Sequence, residues 1–179
     1  MDSYLHYIHN HIDSANFAIM DIEAIGLGKH RSVPVAGPYS NIHNCTRKIA
    51  IIKRDETIRT FEFTPCLPYE QLTTKEKQNF WYCQRKVHHL SYYPRTGSQI
   101  KATCNEAADI VKNYLTINNI EVCLYKGGNL ERELCLQMNF PSIDIGRIVP
   151  KASCHVPEEE VQFYLSEFYK SWFYLCSKL

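Results

Sequence analysis

Two acidic residues, one position apart, end an apolar run near the N-terminus. The run reads FAIMDIE over residues 17–23 and contains Asp21 and Glu23. Side chains alternate along a strand, so we expect both carboxylates on the same face. Two carboxylates on one face repel each other, and burial penalises both. A divalent cation with a preference for oxygen ligands, such as Mg²⁺ or Mn²⁺, would relieve this conflict. Taken alone, however, the pair favours two solvated acids at the end of a strand.

A third acid lies in the stretch LYKGGNLERELC, residues 124–135. The pattern predicts a strand, a glycine turn and a helix, with Glu131 in the first turn of the helix. An acid there is also favoured by the helix dipole alone. Glu133 competes with Glu131 as the acid that faces the strand ends. The stretch is not a phosphate loop, because G-x-x-x-x-G-K-[ST] is absent.

A histidine and three acids lie together in CHVPEEE, residues 154–160. The pattern predicts that a helix begins at Pro157, with His155 just before it and Glu160 in its first turn. Such a histidine can serve as a general base, and such an acid can bind a metal ion. The alternative is a surface histidine beside an ordinary helix start.

Hydrophobic periodicity and turn residues predict the elements that position these side chains. The predicted strands are residues 17–23, 48–53, 57–63, 121–125 and 142–145. The predicted helices are 73–89, 105–117, 129–138 and 157 to about 178, and a long loop covers 24–46. This order favours an α/β fold with a mixed sheet flanked by helices. Residues 1–16 form an N-terminal arm in this interpretation, and residues 17–179 form one domain.

Composition limits the classes of function. The chain has 179 residues and a formal net charge of +1, so net charge gives no argument for nucleic-acid binding. No apolar run approaches a membrane span, and no signal-peptide core is visible, so we expect an intracellular protein of the cytoplasm or nucleus that is not secreted. The eight scattered cysteines contain no C-x-x-C and are interpreted as reduced thiols.

In this order the three acidic stretches resemble the motifs of the DEDDh 3′–5′ exonucleases, a family with a ribonuclease H-like fold. Asp21 and Glu23 match the D-x-E motif on the first strand. Residues 126–135 fall on the second motif, and His155 and Glu160 fall on the H-x-x-x-x-D motif. The match spans about residues 17–175. Asp144 resembles an acid that the family often carries between the second and third motifs, and residues 88–97 resemble its connecting segment.

The chain departs from the family pattern at its second and last acids. Glu131 stands in place of aspartate, and Lys126-Gly127 replaces His-Asn. Glu160 also stands in place of aspartate, with Glu158 and Glu159 as alternatives. Glutamate is one methylene longer, so the metal positions must shift by up to roughly an ångström, and misplacement on that scale lowers rate.

The resemblance implies a two-metal phosphodiester hydrolase. Two ions of Mg²⁺ or Mn²⁺ would be held by four acids: Asp21, Glu23, Glu131 and Glu160. His155 would accept a proton from the attacking water. Because this needs neutral histidine, activity should fall below about pH 6.5.

The implied substrate is the single-stranded 3′ end of RNA or DNA. The terminal base would stack on Tyr39 or on a tyrosine of the pair Tyr92-Tyr93. Residues assigned to substrate binding are Lys126, Asn129, Tyr39 and Arg31. The basic residues Lys29, His30, Arg31, Arg47 and Lys48 meet phosphates in this interpretation, or form a solvated loop in the alternative. No membrane partner is expected, and a homodimer is compatible with the pattern.

Two other functions compete with the exonuclease. One is a catalytically weak protein of the same fold that binds nucleic acid or a protein, which the two glutamates favour. The other is a zinc-bearing interaction domain that uses Cys154, His155 and other thiols. A protease with Cys154 and His155 is disfavoured, because adjacent residues rarely orient for proton transfer.

Overall fold

A six-stranded mixed sheet forms the centre of the computed structural model, which describes residues 8, 12, 15–26, 44–65, 67–83, 89–95 and 102–177. The strands are β1 Phe17–Gly26, β2 Asn44–Lys53, β3 Ile58–Thr64, β4 Ala102–Thr103, β5 Val122–Tyr125 and β6 Ser142–Asp144. Their order across the sheet is β4-β3-β2-β1-β5-β6. The α-helices in these ranges are α1 Thr74–Cys83, α2 Ala107–Ile117, α3 Asn129–Met138 and α4 Pro157–Cys176.

The first three strands form an antiparallel meander, and the later strands run parallel to their neighbours. β1 pairs with β2 and β2 with β3 in antiparallel register. β5 lies parallel to β1, and β6 lies parallel to β5. The β2–β3 turn is closed by Asp55, whose carboxylate accepts the Thr57 N–H at 3.0 Å. A helix lies between the two strands of each parallel pair that is consecutive in sequence, α1 between β3 and β4 and α3 between β5 and β6, as crossover connections require.

Alternation along β1 divides the core between the two faces of the sheet. Phe17 and Ile19 are buried with residues of α4 such as Phe168. Ala18 and Met20 are buried with residues of α2 and α3 on the opposite face. Burying one large apolar side chain contributes about 1.5–3 kcal/mol. Because β1 carries such side chains on both faces, an interior position in the sheet is favoured for it.

A β-bulge follows Glu23. Glu23 pairs with Lys48 and Ala24 pairs with Thr46, so Arg47 is the extra residue on β2. Its guanidinium is 1% exposed and donates to the carbonyls of Ser91 and Tyr92 and to the Glu62 carboxylate. We expected Arg47 to meet phosphates, but this buried network occupies it. Bulges of this kind bend a strand and re-aim side chains near functional sites.

The predicted α/β class with a mixed, helix-flanked sheet is confirmed. The strand boundaries differ, because β1 continues to Gly26 and β2 already begins at Asn44. Pairing between β1 and β2 therefore includes both ends of the predicted loop 24–46, and residues 27–43 of that loop lie outside the described residues. The short strand β4 was missed, since two residues carry no periodicity.

Two residues of the predicted N-terminal arm belong to the core. Ile8 and Ile12 are each 1% exposed and pack in the cluster beneath α4. Among the helices in the described ranges, none combines the length and the apolar character needed to cross a lipid bilayer.

The cysteines differ from one another. Cys123, Cys135 and Cys154 are free thiols. Cys104 is disulfide-bonded, so the interpretation of reduced thiols is wrong at this position.

Candidate active site

A cavity of about 540 Å³ lies where the later half of β1 meets the N-termini of α3 and α4. The residues with polar side chains that line it are Asp21, Glu23, Lys126, Asn129, Glu131, Lys151, His155, Glu160 and Tyr164. Segments more than 100 residues apart in sequence therefore supply its acids. The three acidic stretches of the sequence converge here.

β1 supplies Asp21 and Glu23. These two continue the row begun by Phe17 and Ile19, which faces α4. Glu23 is buried. After the bulge that follows Glu23, the alternation of side chains along β1 is reversed. Ile25 would otherwise share the face of Glu23, but it packs on the opposite face with Ile22. The expectation that one strand face presents both carboxylates agrees with this arrangement.

Glu131 reaches the cavity from the first turn of α3. β5 pairs with β1 only as far as Tyr125 and Met20, so β1 continues beyond its parallel neighbour. There the Ile22 N–H donates to Glu131 Oε1 at 3.0 Å in place of a strand carbonyl. This bond joins residues that are 109 positions apart and fixes the direction of the carboxylate.

Gly128 makes room for the Glu131 carboxylate. A Cβ at position 128 would lie 1.6 Å from Glu131 Oε2, so any side chain would displace the carboxylate. The preceding Gly127 has a φ of +60°, the left-handed region that glycine adopts without strain. The glycine pair therefore serves both the turn and the carboxylate.

Asp144 lies outside the cavity and positions the same turn. Its Oδ1 accepts the N–H of Gly127 at 2.8 Å and the N–H of Gly146 at 2.7 Å. The two bonds join the end of β6 to the glycine turn that precedes α3. The acid between the second and third motifs thus stabilises a loop in this chain and does not line the cavity.

His155 and Glu160 lie together at the start of α4. His155 Nδ1 is 3.4 Å from Glu160 Oε1, and the Tyr164 hydroxyl donates to Glu160 Oε2 at 2.9 Å. Tyr164 is one helical turn beyond Glu160, the spacing at which side chains on a helix meet. Donor atoms of Glu23, His155 and Glu160 all lie within 4.8 Å of one another.

Burial and mutual repulsion raise the pKa values of the acids. Burial is the main cause that raises the pKa of Asp21 from 3.8 to about 9, and the charges of Glu160, Glu131 and Glu23 add to it. A hydrogen bond between the Asp21 and Glu160 carboxyl groups has the same effect. Burial also raises the pKa of Glu131 from 4.5 to about 7. Without a cation, some of these groups hold a proton at neutral pH.

The cavity fits a divalent cation. Asp21 Oδ2 is buried and has no hydrogen-bond partner among the described residues. The donors around it are carboxylate oxygens and one imidazole nitrogen, which suit Mg²⁺ or Mn²⁺. A cation would satisfy the buried oxygen and offset the repulsion. Among the described residues, the cluster of donors formed by Glu23, His155 and Glu160 contains no cysteine. Cys154 packs against the apolar core instead.

The competing acids lie elsewhere. Glu133 and Glu159 are exposed. Glu158 forms an ion pair with Lys48 at 2.6 Å and accepts the Thr60 hydroxyl at 3.2 Å. The structure therefore brings Glu131 and Glu160, and not their neighbours, into the cavity.

The expected substrate-binding residues divide into two groups. Lys126 and Asn129 line the cavity. Tyr39 and Arg31, together with Lys29 and His30, lie outside the described residues. Sequence reasoning missed Lys151, which belongs to no motif, and it missed Tyr164. The spacing of four residues from Glu160 is the signal that could have found Tyr164.

Comparison with known proteins shows the fold. No protein-family model matches the sequence, and no curated protein matches it. The solved structure of S. pombe Pop2p in its Mg²⁺- and Mn²⁺-bound form aligns with a TM-score of 0.51 and 11% identity, covering 94% of this chain and 87% of that chain. The fold is ribonuclease H-like. A family B DNA polymerase from the hyperthermophilic archaeon Pyrobaculum calidifontis aligns at a TM-score of 0.37 and 9% identity, covering 75% of this chain and 16% of that chain.

Proposed function

We propose that this protein is a metal-dependent 3′–5′ exonuclease that hydrolyses terminal phosphodiesters of RNA or DNA. The observation that carries the proposal is the convergence of four acids beside His155, one of which carries a buried oxygen, Asp21 Oδ2, with no hydrogen-bond partner among the described residues. The acids are Asp21, Glu23, Glu131 and Glu160. The ribonuclease H-like fold and the order of the motifs support the same reaction class. The direction of digestion follows from the motif resemblance.

The four acids would hold two ions of Mg²⁺ or Mn²⁺. When bound, such ions supply a lowered pKa for the attacking water and charge stabilisation at the phosphate. Glu131 is oriented for this role by the Ile22 N–H, and Glu160 by the Tyr164 hydroxyl. Preorganised carboxylates lose little freedom when they bind.

His155 serves as the general base. Its Nδ1 faces Glu160 at 3.4 Å, which favours the tautomer with the proton on Nδ1. The lone pair on Nε2 then accepts the proton of the attacking water. The imidazolium that results is stabilised by the same carboxylate.

Lys126, Lys151 and Asn129 line the cavity beside the acids. Ammonium groups bind phosphate oxygens as point charges, and an amide can donate to them. We assign these three residues to the phosphates of the substrate. A single-stranded 3′ end is the substrate with which this arrangement is consistent.

A catalytically weak nucleic-acid-binding protein of the same fold is the second candidate. Two of its acids are glutamates that already accept hydrogen bonds, Glu131 from Ile22 and Glu160 from Tyr164. If those bonds hold the carboxylates away from productive metal positions, the protein still binds nucleic acid but loses its cleavage rate.

Digestion of an end-labelled single-stranded oligonucleotide with Mn²⁺ tests the proposal. The wild type should shorten the substrate stepwise from the 3′ end. Asp21→Asn and Glu131→Gln should each lower the rate by more than about a hundredfold, the upper end for outer partners of metal sites. Glu133→Gln, which alters an exposed acid on the same helix, should retain the wild-type rate.

The assay also separates the two candidates. Oligonucleotide binding without Mn²⁺-dependent cleavage would favour the weak binding protein. Cleavage that persists in Asp21→Asn would place the activity in another site or in a contaminant and would contradict the proposal.

A further inference from the structure

A second and larger cavity, of about 880 Å³, lies beside α1 and the segment 89–95. Aromatic rings dominate its lining, among them Tyr69, Phe80, Tyr92 and two exposed rings, Trp81 and Tyr93. Trp81 is 54% exposed and Tyr93 is 41% exposed. We call this space the aromatic cavity. Its rings pack edge to face, as Tyr69 does on Phe80 with centroids 6.1 Å apart, so their arrangement is already fixed.

A smaller cavity of about 210 Å³ adjoins the aromatic cavity. His89 and Arg95 line both spaces, together with Leu90 and Ser91. Arg95 is exposed, so its guanidinium supplies positive charge at the junction. We call this smaller space the basic passage.

The two other cations of the basic passage face acids. Arg47 pairs with Glu62 at 3.2 Å, and Lys48 pairs with Glu158 at 2.6 Å. The charge available to a ligand in the passage therefore comes mainly from Arg95.

The basic passage also adjoins the active site. Val156 and Pro157 line the passage, and the preceding residue, His155, lines the acidic cavity. Lys48 of the passage lies opposite Glu23 of the acidic cavity in the β1–β2 register. Acids, cations and exposed rings thus line three successive cavities.

We propose that the aromatic cavity binds unpaired bases of the same single-stranded nucleic acid whose 3′ end occupies the acidic cavity, with Arg95 on the intervening phosphates. This inference rests on the proposed function, because it takes the acidic cavity as the cleavage site. Every base has a face that stacks on an aromatic ring, and arginine contacts the backbone without reading sequence. The cavity should therefore favour single strands and tolerate any sequence.

The charge pattern selects this occupant over an apolar peptide. A peptide would need only the rings, whereas the approach to them from the active site is lined by Arg95 and His89. A polyanion with one planar apolar group per charge matches the alternation of cation and ring. The cavity also lies outside the catalytic acids, so it would contribute affinity and not chemistry.

Trp81 provides a direct measurement of binding. The other tryptophan, Trp172, is partly buried against the apolar core, so Trp172→Phe leaves Trp81 as the sole reporter. In the non-cleaving Asp21→Asn background, a single-stranded oligonucleotide of about ten nucleotides should quench this emission, because a base that stacks on the indole ring changes its surroundings. An abasic oligonucleotide of equal length keeps the phosphates and should not quench it.

Substitutions then measure the contribution to affinity. By fluorescence anisotropy, Trp81→Ala should weaken binding of the same oligonucleotide about tenfold, and Trp81→Phe should restore most of the loss. Arg95→Gln should weaken binding and flatten its salt dependence. The control is Tyr82→Ala, which removes a 70% exposed ring on α1 that does not line the cavity.

Kinetics with the cleaving protein separate this inference from the proposed function. Trp81→Ala should raise KM for the long oligonucleotide about tenfold while kcat holds, and the effect should shrink as the substrate is shortened to a dinucleotide. Quenching without cleavage by the wild type would overturn the proposed function alone. Cleavage with equal KM for the wild type and Trp81→Ala at every length, or equal quenching by the abasic strand, would overturn the aromatic cavity as a base-binding site.

Discussion

Buried acids determine the chemistry of the candidate site at the scale of single residues. Asp21 carries an oxygen with no partner among the residues the structure describes, and its neighbours Glu23, Glu131 and Glu160 are buried as well. Such a cluster destabilises the fold unless protons or cations neutralise it. A cluster of this cost is consistent with a functional role.

Asp21→Asn should increase the stability of the metal-free protein, and increasingly so at high pH. The pKa of Asp21 is raised from 3.8 to about 9 in the folded state, so its contribution to stability is fully present below its unfolded pKa and is lost as pH rises through the folded one. Relative to the variant, the wild type should lose more than about 1 kcal/mol of its free energy of unfolding between about pH 5 and about pH 8, since one pKa unit is worth about 1.4 kcal/mol. Urea denaturation in chelator measures it; parallel pH curves for the two proteins would contradict the burial of this carboxylate.

At the scale of elements, the turn between β5 and α3 sets the position of the second acid. Gly128 leaves the space that the Glu131 carboxylate occupies, and Asp144 holds the turn through the N–H groups of Gly127 and Gly146. Both features act on the first turn of α3. Replacing Gly128 should therefore alter metal binding, and replacing Asp144 should alter stability.

Gly128→Ala should weaken Mn²⁺ binding about tenfold or more with little loss of stability, because the displaced atoms are the far end of the flexible Glu131 side chain. Combining it with Glu131→Asp should recover part of the affinity, since the shorter side chain leaves room for the new methyl group. Calorimetric titration with Mn²⁺ measures both. Equal affinity for Gly128→Ala and the wild type would show that the carboxylate position does not matter.

Asp144→Ala should lower the free energy of unfolding by about 1–3 kcal/mol, because it leaves two loop N–H groups without their acceptor. Asp144→Asn keeps an acceptor oxygen and should lose less. Thermal and urea unfolding compare the three proteins. If instead Asp144→Ala abolished Mn²⁺ binding while its stability held, Asp144 would belong to the metal site.

For the whole molecule, the proposed metal binding would be linked to folding through protons. Asp21 and Glu131, with pKa values of about 9 and about 7, must lose their protons before they can bind a cation. Ion binding to the folded protein alone raises its melting temperature. The two linkages together determine how the protein responds to pH.

The Mn²⁺-induced rise in melting temperature should therefore be larger at about pH 8 than at about pH 6. Titration in buffers of different ionisation enthalpy should show net proton release on binding at about pH 7. Glu159→Gln, on the exposed side of α4, serves as the control and should release as many protons as the wild type. A pH-independent rise, with no protons released, would place the cation outside the acidic cavity.

The local pattern of the sequence, without any tertiary contact, determined much of this site. Strand alternation put Asp21 and Glu23 on one face, and the proline and acids after His155 placed it at a helix start. These features depend on a few consecutive residues. The two-residue alternation of a strand and the residues typical of a helix start are therefore enough to predict them. The mixed sheet followed from the order of the elements.

Only the tertiary structure decided which acids meet. Glu131 and Glu133 lie two positions apart on one helix, as Glu158 and Glu160 do on another, and the packing of these helices against β1 decides which acid of each pair faces the cavity. The bond from Ile22 to Glu131 spans 109 positions, and the bulge that buries Arg47 comes from pairing between two strands. Such contacts depend on how distant segments are placed in space, and no local period in the chain encodes that placement.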